Sequence, residues 1–227
     1  MKKHLHKLNA LIIITLVAFT CVSCFEIVEE INLNDDGSGS FCFTINMSQS
    51  KLNINSMLLL DSVNGRPVPK KENLKAELGK VEAKLKEDGR ITNVIVKENW
   101  EAYIFSISGN FNNIETLNKA INNISVGLGK LKGGSPQVAD NFSYHDGIFT
   151  RLYNYNLVKD YNSLTEKDKV VFNNAKYTAI YRFNLPVKSF SNVDALKSKS
   201  GKALMLKLNI KDMITNHKTL ANTINLK

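Results

Sequence analysis

Cysteine is scarce in this chain: 227 residues hold three, Cys21, Cys24 and Cys42. Exported domains stapled by disulfides carry larger, spaced cysteine sets, so the fold must rest on an ordinary apolar core. Histidine is equally thin, at four residues, and two of these lie in the first seven positions, leaving His145 and His217. A zinc site needs three or four convergent ligands, and neither HExxH nor paired CxxC spacing occurs. No GxSxG nucleophile elbow is present. The glycines from Gly127 to Gly134 miss the GxxxxGK[ST] spacing of a phosphate loop and do not follow a good strand. Arginine is sparse and unclustered, which argues against nucleic acid as a partner.

Long apolar runs are limited to one, Leu11–Val22. It falls short of the roughly 20 residues of a membrane-spanning helix. Its flanks explain it: Lys2, Lys3 and Lys7 precede it, and Ser23-Cys24 follow. A basic start, an apolar stretch, a small residue and a cysteine have the layout of a bacterial lipoprotein signal peptide. Residues 1–23 are then the signal peptide, with cleavage between Ser23 and Cys24 and lipid on Cys24. Cys21 stands where such a box usually has Leu, and Val22 is a tolerable variant. Cys21 is also the rival acceptor, but Phe19 and Thr20 before it are poorly suited to processing. With Cys24 lipidated, Cys42 has no partner and is expected to be a small buried residue.

The rest of the chain is globular in composition, 43 % hydrophobic and 22 % charged, which excludes disorder over most of its length. The formal net charge is +9, three of it from the signal peptide lysines. The excess reads as solubility or biased composition, with attraction to anionic lipid or polysaccharide as the alternative.

Periodicity supplies the elements. Phe25, Ile27, Ile31 and Leu33 alternate with Glu26, Glu30 and Asn32; a turn cluster over Asn34–Ser40 leads into Phe41, Phe43, Ile45 and Met47. This is a hairpin. Residues 49–64 are a helix or a long connection, with Leu58-Leu59-Leu60 expected in the core rather than in a lipid-docking patch. Leu74, Leu78, Val81 and Leu85 mark an amphipathic helix over 70–88; Gly79 within it suggests close packing, and Gly89 suits its end. Ile91–Lys97 and Trp100–Phe111 form a second hairpin turning near Glu98-Asn99, with Tyr103 on the same face as Phe105. Asn113 caps a helix through Ile124. Residues 127–139 are loop-like and separate two lobes. Phe142–Tyr144 and Ile148–Tyr155 flank the hairpin turn at His145-Asp146-Gly147. Ser163 with Glu166 resembles a capping box. Strands follow at Ala175–Leu185 and Lys202–Ile210, then a short helix near 211–216 and a last strand near 220–226. The fold class expected is α+β: an antiparallel sheet built from hairpins with helices packed on one face, forming a single ectodomain over 24–227.

Two segments, Glu29–Gly39 with its Asp-Gly-Ser-Gly turn and Tyr181–Pro186 followed by Asn192 and the Gly201–Ile210 strand, resemble the ectodomains of LppM-like bacterial envelope lipoproteins. The chain differs from the actinobacterial pattern in having no C-terminal membrane span. Its acidic residues after Cys24 and its Lys/Asn bias look more like a Bacteroidetes lipoprotein, in which Glu26, Glu29 and Glu30 would act as a surface-export signal. The resemblance implies an α+β ectodomain with an apolar or lipid-binding groove and no catalytic residues.

The expectation is therefore a non-enzymatic protein without metal or cofactor, held at the cell envelope, at the outer membrane. Its partners are the membrane itself and a lipid, a glycolipid or another envelope protein. A structural subunit of a surface complex is the alternative. A hydrolase is less favoured, because His145 sits in an exposed turn. The pairs Glu29-Glu30 and Asp35-Asp36 are expected to be solvated, not set across a cleft as glycosidase carboxyls are.

Overall fold

Period-two alternation, interrupted by residues that accept tight turns, builds the first unit. The computed structural model describes residues 25–63, 65–87, 89–128, 140–153, 157–215 and 217–226. β1 (Glu26–Leu33) and β2 (Gly39–Asn46) pair antiparallel across a turn in which Gly37 takes φ +84°. Then come α1 (Lys51–Leu58), a two-residue ladder of β3 (Ser62–Val63) and β4 (Arg66–Pro67), and α2 (Lys71–Glu87). β5 (Ile91–Asn99), β6 (Ile104–Phe111) and α3 (Ile114–Leu128) complete the first half. Asn113 caps α3 by accepting from the Thr116 N–H at 2.9 Å.

The second half opens with β7 (Phe142–His145) and β8 (Ile148–Arg151). Their turn residues Asp146 and Gly147 both have positive φ, 50° and 74°, as a two-residue primed turn requires. Two short helices follow, α4 (Val158–Asn162) and α5 (Glu166–Lys169). The remaining elements are β9 (Lys176–Phe183), β10 (Val187–Phe190), β11 (Leu196–Lys197), β12 (Ala203–Asn209), α6 (Ile210–Ile214) and β13 (Asn222–Leu226).

The α+β class holds, and most strand neighbours are antiparallel, but the main sheet is mixed. Its order is β11-β12-β9-β1-β2-β6-β5, and β1 pairs β9 in parallel. No hairpin can make a parallel pair; it needs a long crossover. Here the crossover is everything between residues 34 and 175, so strands from both halves share one sheet. A second sheet, β10-β13-β8-β7, contributes Phe149 and Ile224 to the same core that holds Ile31, Phe41 and Leu206. The main sheet is thus covered by a second sheet as well as by helices.

Several local expectations change. Tyr103 leaves the strand face: it lies in the β5–β6 turn at φ 53°, with its hydroxyl donating to Asn55 Oδ1. Thr165, not Ser163, caps α5, accepting from the Asp168 N–H at 3.2 Å; the Ser163 hydroxyl instead donates to Asp160 O. Leu58-Leu59-Leu60 is not core: α1 buries none of its residues and Leu59 is 87 % exposed. Gly79 faces open space. Cys42 is only half-buried, with its Sγ 3.7 Å from Thr44 Oγ1. The signal peptide with Ser23 and Cys24 lies outside the described residues, as do residues 129–139 of the expected inter-lobe loop.

Candidate functional site

Alternation along β1 should place residues 25, 27, 29, 31 and 33 on one face, and four of these five are apolar. The exception is Glu29, which turns inward with 2 % exposure. Register sets it between Phe43 of β2 and Ala179 of β9. A carboxylate there, desolvated and alone, would cost several kcal/mol. Its partner comes from β8, 122 residues away: Arg151 donates from Nε to Glu29 Oε1 at 3.1 Å and from Nη2 to Oε2 at 3.0 Å. Two tyrosines of β9 complete the arrangement. Tyr181 donates its hydroxyl to Oε1 at 2.6 Å and Tyr177 to Oε2 at 2.7 Å. Each carboxylate oxygen therefore accepts two hydrogen bonds, filling its lone pairs. Arg151 Nη1 donates to the carbonyls of Asn141 at 3.2 Å and Leu152 at 2.6 Å. The guanidinium also lies 4.7 Å from the Phe142 ring centre.

The electrostatics follow from this packing. Burial pushes both Tyr177 and Tyr181 well above the usual phenol range, and the adjacent Glu29 charge adds to the shift. For Arg151, burial is the largest single influence and disfavours the charge, but Glu29 together with Tyr181 and Tyr177 outweighs it, and the guanidinium is held more basic than usual.

Glu29, Arg151 and Tyr177 form part of the wall of a cavity of about 410 Å³. Otherwise the wall is largely apolar. Ile27, Phe43, Ile45, Phe105 and Ile107 line it from the main sheet, and Leu78, Val81 and Ile121 from α2 and α3. Ile210, Met213 and Ile214 of α6 close one side. Its lining includes two exposed side chains, Ile45 at 47 % and Leu157 at 40 %, which mark its mouth.

The residues singled out in sequence fall elsewhere. His145 is exposed on the β7–β8 turn and His217 is exposed after α6. Asp36 stays in the β1–β2 turn, accepting from the Ser38 N–H at 2.9 Å and hydroxyl at 2.7 Å. The expectation that Glu29-Glu30 is solvated fails for Glu29. The neighbouring acids are also engaged, Glu26 with Lys207 at 2.8 Å and Glu30 with Arg182 at 3.0 Å. The buried quartet of Glu29, Arg151, Tyr177 and Tyr181 was missed. Its only trace in sequence is a charge at an inward position of β1. Among the described residues no cluster of three or more His, Cys, Asp or Glu could hold a metal ion, and no helix is long and apolar enough to cross a membrane.

No protein-family model and no curated protein matches this chain. Among solved structures, it is similar to the NMR structure of the folded domain of Mycobacterium tuberculosis LppM. The identity is 13 %, the similarity covers 89 % of this chain and 87 % of that one, and the TM-score is 0.44.

Proposed function

We propose that this chain is an exported, non-enzymatic envelope protein, held at the outer membrane by lipid on Cys24, whose α+β domain takes an apolar ligand into the cavity between its layers. The observation that carries the reading is the cavity itself: about 410 Å³, within the roughly 300–1,000 Å³ of small-molecule pockets. Each methylene moved from water into such a space contributes about 0.8 kcal/mol.

The polar part of the wall narrows the ligand class. Glu29 and Arg151 neutralise each other, and the carboxylate has no lone pair left to act as a base. A carboxylate or phosphate drawn into the cavity would lose its water and meet no unpaired cation. The cavity therefore suits a hydrocarbon chain or a neutral molecule, with any charged head left at the mouth. A lipid or glycolipid tail has this chemistry.

The test is displacement of a neutral solvatochromic probe from the purified protein. Dodecan-1-ol should displace it, dodecanoate should do so less well, and Ile107→Trp should abolish probe uptake while leaving the circular dichroism spectrum intact. Absence of probe uptake by the folded wild-type protein would overturn the reading. The anchor is tested separately, by the mass of the N-terminal peptide after membrane extraction: an acylated peptide beginning at Cys24 supports it, and an unmodified one removes it.

A further inference from the structure

One end of the main sheet combines an unburied apolar helix, the cavity mouth and the start of the described chain. Register aligns Glu26 of β1 with Asn46 of β2 and Lys176 of β9, Asn46 with Ile104 of β6, and Ile104 with Asn99 of β5. These strand ends form one edge, immediately after residue 25. α1 is fixed on that edge. The Met47 N–H donates to Tyr103 O at 2.9 Å, and the Tyr103 hydroxyl reaches Asn55 of α1. Across the edge, Phe25 packs edge-on against Phe172 at 6.2 Å, which brings the exposed Val170 and Val171 to the same end.

A helix with Leu52, Ile54, Met57 and Leu58 would ordinarily bury one stripe. α1 buries none, and Leu52 and Leu59 are 75 % and 87 % exposed. Leu60 and Met57 are exposed as well. An apolar surface of this kind marks an interaction site. The charge in the segments that form it is net positive: residues 51–75 and 97–101 contain Lys51, Arg66, Lys70, Lys71, Lys75 and Lys97 against Asp61, Glu72, Glu98 and Glu101. The ammonium groups of Lys71 and Lys75 lie 5.1 and 5.9 Å from the ring centre of Trp100, in the adjacent β5–β6 turn.

We propose that this end docks onto an anionic bilayer surface, with Leu52 of α1 and Leu59 and Leu60 just after it entering the headgroup–acyl boundary and the cavity mouth opening onto lipid. The proposal rests on the reading that Cys24 carries the lipid. One residue of chain spans at most about 3.6 Å, so acyl chains on Cys24 would lie next to Phe25, at this end. Binding of an apolar face to a bilayer sums apolar burial and attraction to anionic lipid; α1 supplies the apolar part and Lys51, and Lys71 and Lys75 of α2 stand beside it. Of the exposed residues of the cavity lining, Ile45 is one residue from this edge, and Leu157 accepts from the N–H of Tyr161, whose ring packs on Phe172 at 5.7 Å. A tail could then pass from bilayer to cavity without crossing water.

Trp100 is the chain's single tryptophan, and it reports on this end. The full chain, made with its own signal and extracted, is reconstituted into phosphatidylglycerol-containing vesicles bearing lipids brominated along the acyl chain. Trp100 fluorescence should be quenched, most strongly by shallow bromines. Leu59→Ser/Leu60→Ser should cut the quenching by roughly half or more, because interfacial insertion scales with buried apolar area. The variant should still sediment with the vesicles through its acyl chains, and since both side chains are exposed its fold should be unchanged. Unquenched Trp100 on a chain whose N-terminal peptide is acylated would overturn docking and leave the anchor standing. Quenching on a chain without acylation would overturn the anchor and leave docking standing on the α1 face alone. Dimerisation abolished by Leu59→Ser/Leu60→Ser, with Trp100 unquenched, would assign the face to a second copy and overturn the proposal.

Discussion

Glu29 and Arg151 form a two-bond ion pair with 2 % and 5 % of their side chains exposed, joining the main sheet to the second sheet at the wall of the cavity. Such a pair adds little over an apolar replacement, yet removing one member leaves the other charge stranded at a cost of about 3–5 kcal/mol. Arg151→Met and Glu29→Leu are each expected to lower the unfolding free energy by that order, read from the shift of the urea midpoint. The double variant should lose much less than the two effects added together. Its residual loss belongs to the hydroxyls of Tyr177 and Tyr181, left without their acceptor, and to the Asn141 and Leu152 carbonyls, left without the Arg151 donor; adding Tyr177→Phe and Tyr181→Phe should recover the first part. Additive single effects would show that the pair is not coupled.

The same tyrosines predict an alkaline limit to stability. Burial first, and the Glu29 charge second, raise both phenol pKa values above those of the unfolded chain. Below about pH 10 the phenols are protonated in both states and contribute no pH dependence. Above it the unfolded chain releases protons that the folded chain retains, so stability falls as pH rises, with a slope approaching about 1.4 kcal/mol per pH unit for each phenol. Urea unfolding between pH 9 and pH 11 should show this fall, and Tyr177→Phe/Tyr181→Phe should flatten it relative to wild type.

Sequence reading recovers what local chemistry decides. Alternation finds β1, β2, β9 and β12, the Asp-Gly turn joins β7 to β8, and Asn113 marks the start of α3. What it does not reach is non-local. The parallel β1–β9 pairing depends on a crossover from one half of the chain to the other. Glu29 reads as one of a run of surface acids until β8 brings Arg151 over it. Leu58-Leu59-Leu60 reads as core because hydrophobic composition alone cannot say whether a face finds a protein partner. The cavity is a property of the space between layers, and no single segment carries its signature.

Two glycines that look alike in sequence should respond oppositely to alanine. Gly79 lies within α2, and a Cβ there would meet nothing within 4 Å. Glycine in a helix costs roughly 0.5–1 kcal/mol relative to alanine through chain entropy, so Gly79→Ala should raise the melting temperature. Gly39 begins β2, and a Cβ there would sit 2.0 Å from the Asn32 carbonyl oxygen and 2.7 Å from the Phe111 ring. Relief would require the β1–β2 pair to separate, so Gly39→Ala should lower the melting temperature. A thermal scan of both variants reads the contrast directly, and equal shifts would contradict the geometry.

Asn118 carries the junction between α3 and β7. The side chain is 5 % exposed; its Oδ1 accepts from the N–H groups of Asn141 and Phe142, each at 3.0 Å, and its Nδ2 donates to Phe142 O at 2.8 Å. An asparagine amide can donate and accept at once, and here it supplies hydrogen bonds to backbone at the start of β7, just before Arg151's acceptor region is completed by the Asn141 carbonyl. Asn118→Leu keeps much of the volume but leaves these groups unpaired at about 1–3 kcal/mol each. Asn118→Asp retains the acceptor but turns the donor into a carboxylate oxygen facing Phe142 O and Asp140 Oδ1, so at neutral pH it should be no more stable than the leucine variant. Because Asn141 also lines the cavity, the leucine variant should lose probe affinity as well as stability. A variant that unfolds at a lower urea concentration yet binds the probe unchanged would show that the junction supports the fold without shaping the cavity.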